Sequence, residues 1–253
     1  MTDQQEKYIY GIRAIIEAIE AGKEIDRLYV KKDLSSDLSR NLLDVAREHG
    51  ISVQRVPVER INRITRKNHQ GAVAMLAAVT YYRLDQLVPM LFEQGDNPFV
   101  VVLDGVTDVR NFGAIARTCD CAGVNAIVLP ERGSVSVGAD AVKTSAGALN
   151  YVPVCRERNL VDAIRFLKDT GFVIVGTSDK NACNYTDVDY TVPVAIVLGS
   201  EDKGISPEVM RLCDRRVVIP EFGHINSLNV SVAGGIIMYE VVRQRLNDHQ
   251  IVD

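Results

Sequence analysis

Several familiar arrangements are missing from this chain. Its five cysteines, Cys119, Cys121, Cys155, Cys183 and Cys213, form no CxxC pair, and no histidine lies close to them in sequence. A zinc site therefore has no ligand set, and reduced, mostly buried thiols are expected. Cys119 and Cys121 are two apart on a predicted helix, so they point to different faces. No apolar run approaches the roughly 20 residues of a membrane span. The first residues, MTDQQEKYIYG, are polar and acidic and hold no signal-peptide core, so cytoplasm is the expected location. There is no GxxxxGK[ST], HExxH or GxSxG, and no GxGxxG after the strand that opens the second half. Phosphate-loop NTPases and dinucleotide-binding enzymes lose their main support. The net charge of −4 argues against indiscriminate nucleic-acid binding but leaves room for a local basic face.

What is present is an ordinary soluble composition. The 253 residues are 47% hydrophobic and 25% charged, which suits one large or two smaller domains. Residues 1–80 read as a small α/β unit. Ile12, Ile15, Ile16 and Ile19 fall at helical spacing, with Gly22 at the end. IDRLYVKK follows as a strand, LSRNLLDVAREHG as a second helix, ISVQRV as a strand, and VERINRITRKNHQGAVAMLAAV as a short helix, a polar loop and a strand. Between Arg55 and Lys67, Arg55, Arg60, Arg63, Arg66 and Lys67 face one acid, Glu59. His69 and Gln70 follow. Such a segment can hold phosphates while the imidazole and amide contact bases, or it can be a solvated charged face.

Residues 81–97 read as a connector, with a short helix from Leu84 to Glu93 interrupted by Pro89. From 98 to 253 the pattern changes. FVVVLD, NAIVLP, YVPVCR, FVIVGT, VAIVLGS and RRVVIP are short, β-branched and nearly continuously apolar, with helical patterns between most of them. That is the signature of a parallel sheet covered on both sides.

Ligands of open α/β sheets bind just after strands. Three segments qualify, and each alone reads equally well as ordinary structure. Asn111 and Gly113 open a helix that carries Arg117 one turn in. Gly199 ends a strand, followed by Glu201, Gly204 and Ser206–Pro207. The third runs from Ile219 to Arg245: a strand end, a polar loop over Glu221–Ser227, and a helix from near Leu228. There Asn226, Ser227, Asn229 and Ser231 alternate with apolar residues. Gly234–Gly235 then sits mid-helix at a cost of about 1 kcal/mol per residue, which implies close packing against a backbone or ligand.

Together these residues carry a resemblance. N-x-G-x-x-x-R at Asn111–Arg117, L-G-x-E-x-x-G at Leu198–Gly204, and I-P…S-L-N-V-S at Ile219–Ser231 resemble the three motifs of the SpoU (TrmH-like) RNA 2′-O-methyltransferases, in that order. Y-G-I-R-A-I-x-E-A-I and H-Q-G-A-V-A resemble the L30e-like RNA-binding domain of the ribosomal RNA members. The likeness covers nearly the whole chain and is nearest the 23S rRNA guanosine-2′-O-methyltransferases.

The resemblance implies a SPOUT parallel-sheet domain with a deep trefoil knot behind a small L30e-like α/β domain. It implies S-adenosylmethionine held largely by backbone groups of loops that include Thr177, Leu198, Gly199, Ile219 and Leu228. It implies a homodimer with the site completed across the interface. Arg117 would act on the ribose 2′-OH, with Asn111, Glu201, Ser227 and Asn229 orienting it. Since a protonated guanidinium donates and cannot accept, anchoring the neighbouring phosphate and stabilising the developing alkoxide is a role at least as suitable as proton abstraction. Arg13, Arg63, Arg66, Lys67, His69 and Gln70 would contact RNA. His224, in a loop where smaller residues are usual, is either an alternative proton acceptor or a loop residue touching RNA or solvent. The competing readings are a tRNA 2′-O-methyltransferase, a resistance-type rRNA methyltransferase, and a non-catalytic RNA-binding or assembly protein on the same scaffold.

Overall fold

The structure, a computed structural model, describes residues 8–95, 97–178, 181–225 and 227–249. Asn226 lies outside them. The chain divides into two compact units, one running to Thr80 and taking in Ser136–Asp140, the other formed by Tyr81–Val135 and the chain from Ala141 on.

The first unit contains β1 (Tyr8–Tyr10), α1 (Ile12–Glu20), β2 (Ile25–Lys31), α2 (Asp37–Glu48), β3 (Val53–Val56), α3 (Val58–Ile64) and β4 (Ala72–Leu76). The strands lie in the order β1-β4-β2-β3, with only β2 and β3 parallel. Strand alternation sorts the side chains onto two faces. Leu28, Val30, Ala72 and Ala74 pack with Ile12, Ile15, Ile16 and Ile19 of α1 and with Leu42 and Ala46 of α2. Each fully buried isoleucine contributes about 1.5–3 kcal/mol. Tyr29 and Val73 point the other way and pack with Ile61 of α3. Ser36 caps α2 by accepting from the Ser39 N–H at 3.2 Å.

The second unit contains β5 (Tyr81–Tyr82), α4 (Leu84–Glu93), β6 (Phe99–Asp104), α5 (Val109–Cys121), β7 (Ala126–Pro130), all but the first two residues of α6 (Ala139–Thr144), β8 (Val154–Glu157), α7 (Leu160–Asp169), β9 (Val173–Thr177), β10 (Cys183–Asn184), β11 (Val194–Gly199), α8 (Pro207–Met210), β12 (Arg215–Val218) and α9 (Val230–His249). Its eight strands run in the order β10-β12-β9-β11-β6-β7-β8-β5, and every pairing is parallel. One face carries Val100, Val102, Val128, Ile174 and Val197 against α4, α7 and α8. The central strands β6, β7 and β11 are buried on both faces, which is why they read as unbroken apolar runs.

The expected connector at 81–97 is corrected by this arrangement. Tyr81 and Tyr82 pair with Val154 and Cys155 at the sheet edge. Leu84, Leu87, Val88 and Leu91 of α4 sit in the core of the second unit. Their spacing is that of a buried helical stripe, which outweighs the turn signals of Pro89 and Gly95. The thiols are likewise less uniformly hidden than expected: Cys119 and Cys155 are buried, Cys213 is half-buried, and Cys121 and Cys183 are exposed. Burial pushes the Cys155 thiol up to about 12. Among the described residues no helix is long and apolar enough to cross a membrane.

Candidate functional site

The strand order decides which loops can meet. β11 is inserted between β9 and β6, and β12 lies beyond β9. Because all four are parallel, their C-terminal ends lie side by side, and Gly199 stands opposite Asp104 in the ladder. Thr177 stands opposite Val217 in the same way.

The ends of β6 and β11 are fastened tightly. The Asp104 carboxylate accepts from the Ser206 N–H at 2.7 Å, tying the start of α8 to the end of β6. The turn after β11 closes on itself: Ser200 N–H donates to Gly204 O at 3.0 Å, and Gly204 N–H returns to Ser200 O at 2.8 Å. A Cβ on Gly199 would lie 2.1 Å from the Gly204 carbonyl carbon, so no side chain fits there. Between these loops lies a cleft of about 320 Å³, lined by Gly105–Asp108, Ser200–Lys203 and Val230. Glu201 is exposed within it.

The third loop joins through one side-chain contact. Asn229 Nδ2 donates to Asn111 Oδ1 at 3.1 Å, linking positions 118 residues apart. Both residues also sit at helix starts. Asp108 caps α5 by accepting from the Arg110 and Asn111 N–H groups at 2.7 and 3.0 Å. Those bonds, that of Asn111 first, hold its carboxyl below the usual carboxylate range. Asn229 caps α9: its Oδ1 accepts from Ser231 N–H at 2.9 Å and from Ser231 Oγ at 2.6 Å. Thus the amide of Asn229 holds its own helix with its oxygen and reaches α5 with its nitrogen. This is also why α9 begins at Val230 rather than near Leu228.

Packing accounts for the first glycine of the α9 pair and leaves ordinary room at the second. A Cβ on Gly234 would lie 2.7 Å from Leu198 Cδ1, and one on Gly235 would touch Thr118 Cγ2 at 3.8 Å. Deeper in the same contact, Cys119 Sγ approaches Met238 Sδ at 3.7 Å. Leu198 is buried at 1% exposure with its side chain turned to Gly234, so at the end of β11 it offers a ligand only backbone.

The other expected residues fall less closely together. Thr177 and Ile219 are half-buried at the ends of β9 and β12, while Ser227 and Leu228 are exposed in the loop before α9. Arg117 is exposed on α5 and is not among the residues lining the cleft. His224 is exposed and does not line it either. Asp104, Thr107, Asp108, Asp202 and Lys203 were not singled out from the sequence. For Asp108 a signal existed, a capping residue immediately before a helical pattern.

In the first unit Arg13, Arg63, Arg66 and Lys67 are exposed. His69, half-buried, and Gln70, exposed, are instead tied into local hydrogen bonds. Gly71 N–H donates to His69 Nδ1 at 3.0 Å, so the ring proton sits on Nε2, 2.9 Å from Asn62 Oδ1. Gln70 Oε1 accepts from Ile12 N–H at 3.1 Å and so caps α1, the service its own first residue cannot supply.

Known proteins of related sequence can now be set beside this geometry. Residues 98–239 match the sequence model of the SpoU rRNA Methylase family, and residues 8–82 match that of the RNA 2′-O ribose methyltransferase substrate binding domain. YacO of Bacillus subtilis (strain 168), named for the TrmH family of tRNA/rRNA methyltransferases, is 35% identical over 96% of this chain and 97% of its own. The AdoMet-bound rRNA methyltransferase from Sinorhizobium meliloti superposes with a TM-score of 0.60 at 28% identity, over 94% of this chain and 87% of that one. The TrmH/SpoU tRNA modifying enzyme of A. aeolicus gives a TM-score of 0.55 at 34% identity, over 66% of this chain and 86% of that one.

Proposed function

The chain belongs to the SpoU rRNA methylase family of RNA methyltransferases, and from that premise we propose that it methylates a ribose 2′-oxygen, that of a guanosine in 23S rRNA. The observation that carries the reading is the Asn229–Asn111 hydrogen bond, which joins the first and third motifs beside a cleft whose other wall holds Glu201 of the second.

S-adenosylmethionine would supply an electrophilic methyl on a sulfonium. The residues suit it. The neighbouring ends of β9, β11 and β12 offer backbone groups at Thr177, Leu198 and Gly199, and apolar cover at half-buried Ile219 and at Leu228, 41% exposed. These are the loops that the resemblance threads into a trefoil knot.

The chain's own residues have the remaining tasks. A ribose hydroxyl must be held in line with the methyl, and positioning alone can lower the barrier by about 7–11 kcal/mol. Asn111, Ser227, Asn229 and Glu201 orient it. Arg117 anchors the adjacent phosphate and stabilises the oxygen as its proton passes to water, which reaches this exposed side chain. Arg117 does not line the cleft of its own chain, and Val232, Tyr239 and Leu246 are exposed on α9 at heptad spacing. Both features suit a homodimer in which a second copy covers α9 and completes the site. The likeness to the A. aeolicus tRNA modifying enzyme covers 66% of this chain and that to the S. meliloti rRNA methyltransferase 94%, which favours rRNA over tRNA.

The test is methyl transfer from labelled S-adenosylmethionine to unmethylated 23S rRNA and to tRNA in parallel, with the product mapped. A 2′-O-methyl makes the adjacent phosphodiester resistant to alkali. The expected result is one alkali-resistant step at a 23S guanosine. Label confined to tRNA would overturn the substrate, and alkali-sensitive label the reacting atom.

A further inference from the structure

The first unit mounts two of its cations on tyrosine rings. Tyr10 and Tyr29 both stand opposite Val73 in the ladder, on β1 and β2 either side of β4. They therefore occupy one rung of the sheet face that α3 covers, about 10 Å apart at the usual strand spacing. Lys67 Nζ lies 5.2 Å from the Tyr10 ring centroid, and Arg60 Cζ lies 5.2 Å from that of Tyr29. Both cations are exposed, while Tyr29 is buried and Tyr10 half-buried.

Two cations on α2 are disposed differently. On α2, Arg40 pairs with Asp37 at 3.2 Å and Arg47 with Asp44 at 3.0 Å. Among the described residues, Arg60, Arg63, Arg66 and Lys67 have no such carboxylate partner. The segment thus keeps its positive charge, and two of its cations have lost part of the rotamer freedom that a solvated side chain must give up on binding. The two groups nearby that could read a base edge, His69 and Gln70, are engaged inside the unit.

We propose that Arg60 and Lys67, held on Tyr29 and Tyr10, form a sequence-independent grip on the RNA sugar–phosphate backbone. The proposal rests on RNA being the substrate. Phosphate contacts position a nucleic acid without reporting its sequence. The grip therefore sets affinity, and the choice of nucleotide is made elsewhere.

The experiment is a salt series of equilibrium binding between the full chain and an unmethylated 23S rRNA transcript. Arg60→Ala and Lys67→Ala are each expected to weaken binding several-fold and to flatten the slope of log K against log salt by about 0.7–0.9, one phosphate's worth. Arg40→Ala and Arg47→Ala on α2 are expected to change neither. Tyr10→Leu should reproduce part of the Lys67→Ala loss, while Tyr10→Phe, which keeps the ring, should not. The methylated nucleotide should stay the same in every variant. Unchanged slopes in Arg60→Ala and Lys67→Ala, or equal losses in the α2 variants, would overturn the grip. Failure of the unsubstituted protein to methylate any RNA would instead overturn the reading on which it rests.

Discussion

The two units use their polar side chains in opposite ways. In the second, residues far apart in sequence converge: Asn111 and Asn229 meet at 3.1 Å, and Glu201 lines the adjoining cleft. In the first, neighbours in sequence diverge in role: Arg66 and Lys67 keep their charges at the surface, while His69 and Gln70 are committed to hydrogen bonds that hold the loop and α1. A parallel sheet gathers whatever follows its strands at one edge, so separated motifs acquire a common location. A contiguous polar run has no such rule, and a one-residue step can exchange a ligand contact for a structural bond.

The contrast can be sharpened first at Arg117. Arg117→Ala should lower methyl-transfer turnover by about 10²–10³-fold, the range for removing one charge-stabilising donor. Affinity for S-adenosylmethionine, read by calorimetry, should be unchanged. Wild-type turnover would remove Arg117 from the chemistry.

A smaller effect is expected at Gln70. Gln70→Ala should cost about 1 kcal/mol of stability in thermal unfolding, by freeing the Ile12 N–H of its partner. Turnover at saturating RNA should stay at the wild-type value. Loss of RNA affinity with no change in stability would make Gln70 a contact residue after all and erase the contrast.

The smallest effect is at Asp108. Its folded-state carboxyl is held below the usual range, so the stability it contributes is fully present above its unfolded pKa and is lost as pH falls through the folded one. The melting temperature of Asp108→Ala should therefore lie below that of wild type at neutral pH. The gap should close as the pH drops below about 4, the ordinary value for an aspartate. A gap that persists in acid would show that the cap acts through something other than its charge.

Much of the architecture was legible. All six apolar runs after residue 98 became strands, and in the central ones burial on both faces leaves no alternation to disguise them. Among the described residues three strands escaped: Tyr8–Tyr10, which runs straight into the first helical pattern, and Tyr81–Tyr82 and Cys183–Asn184, each two residues long at opposite edges of the second sheet, too short for any pattern. In the 81–97 stretch the helix Leu84–Glu93 was legible to its bounds, and what misled was Pro89, which reads as an interruption but lies inside a helix whose buried stripe holds it regardless. In the site, residue types flagged Asn111, Glu201 and Asn229. They could not reveal the double duty of the Asn229 amide, which depends on where α5 ends up. Nor could they show that Leu198 spends its side chain on Gly234, since that contact exists only once α9 lies against β11.

The strand order also fixes a timetable. In the sheet, β9 has β11 and β12 as its only neighbours, and both are synthesised after it. During vectorial synthesis Val173–Thr177 therefore leaves the ribosome as an apolar strand with no mate, while β6, β7 and β8 can already associate. Thr177, Gly199 and Ile219 acquire their places late, after the β6–β7–β8 half of the sheet can already stand.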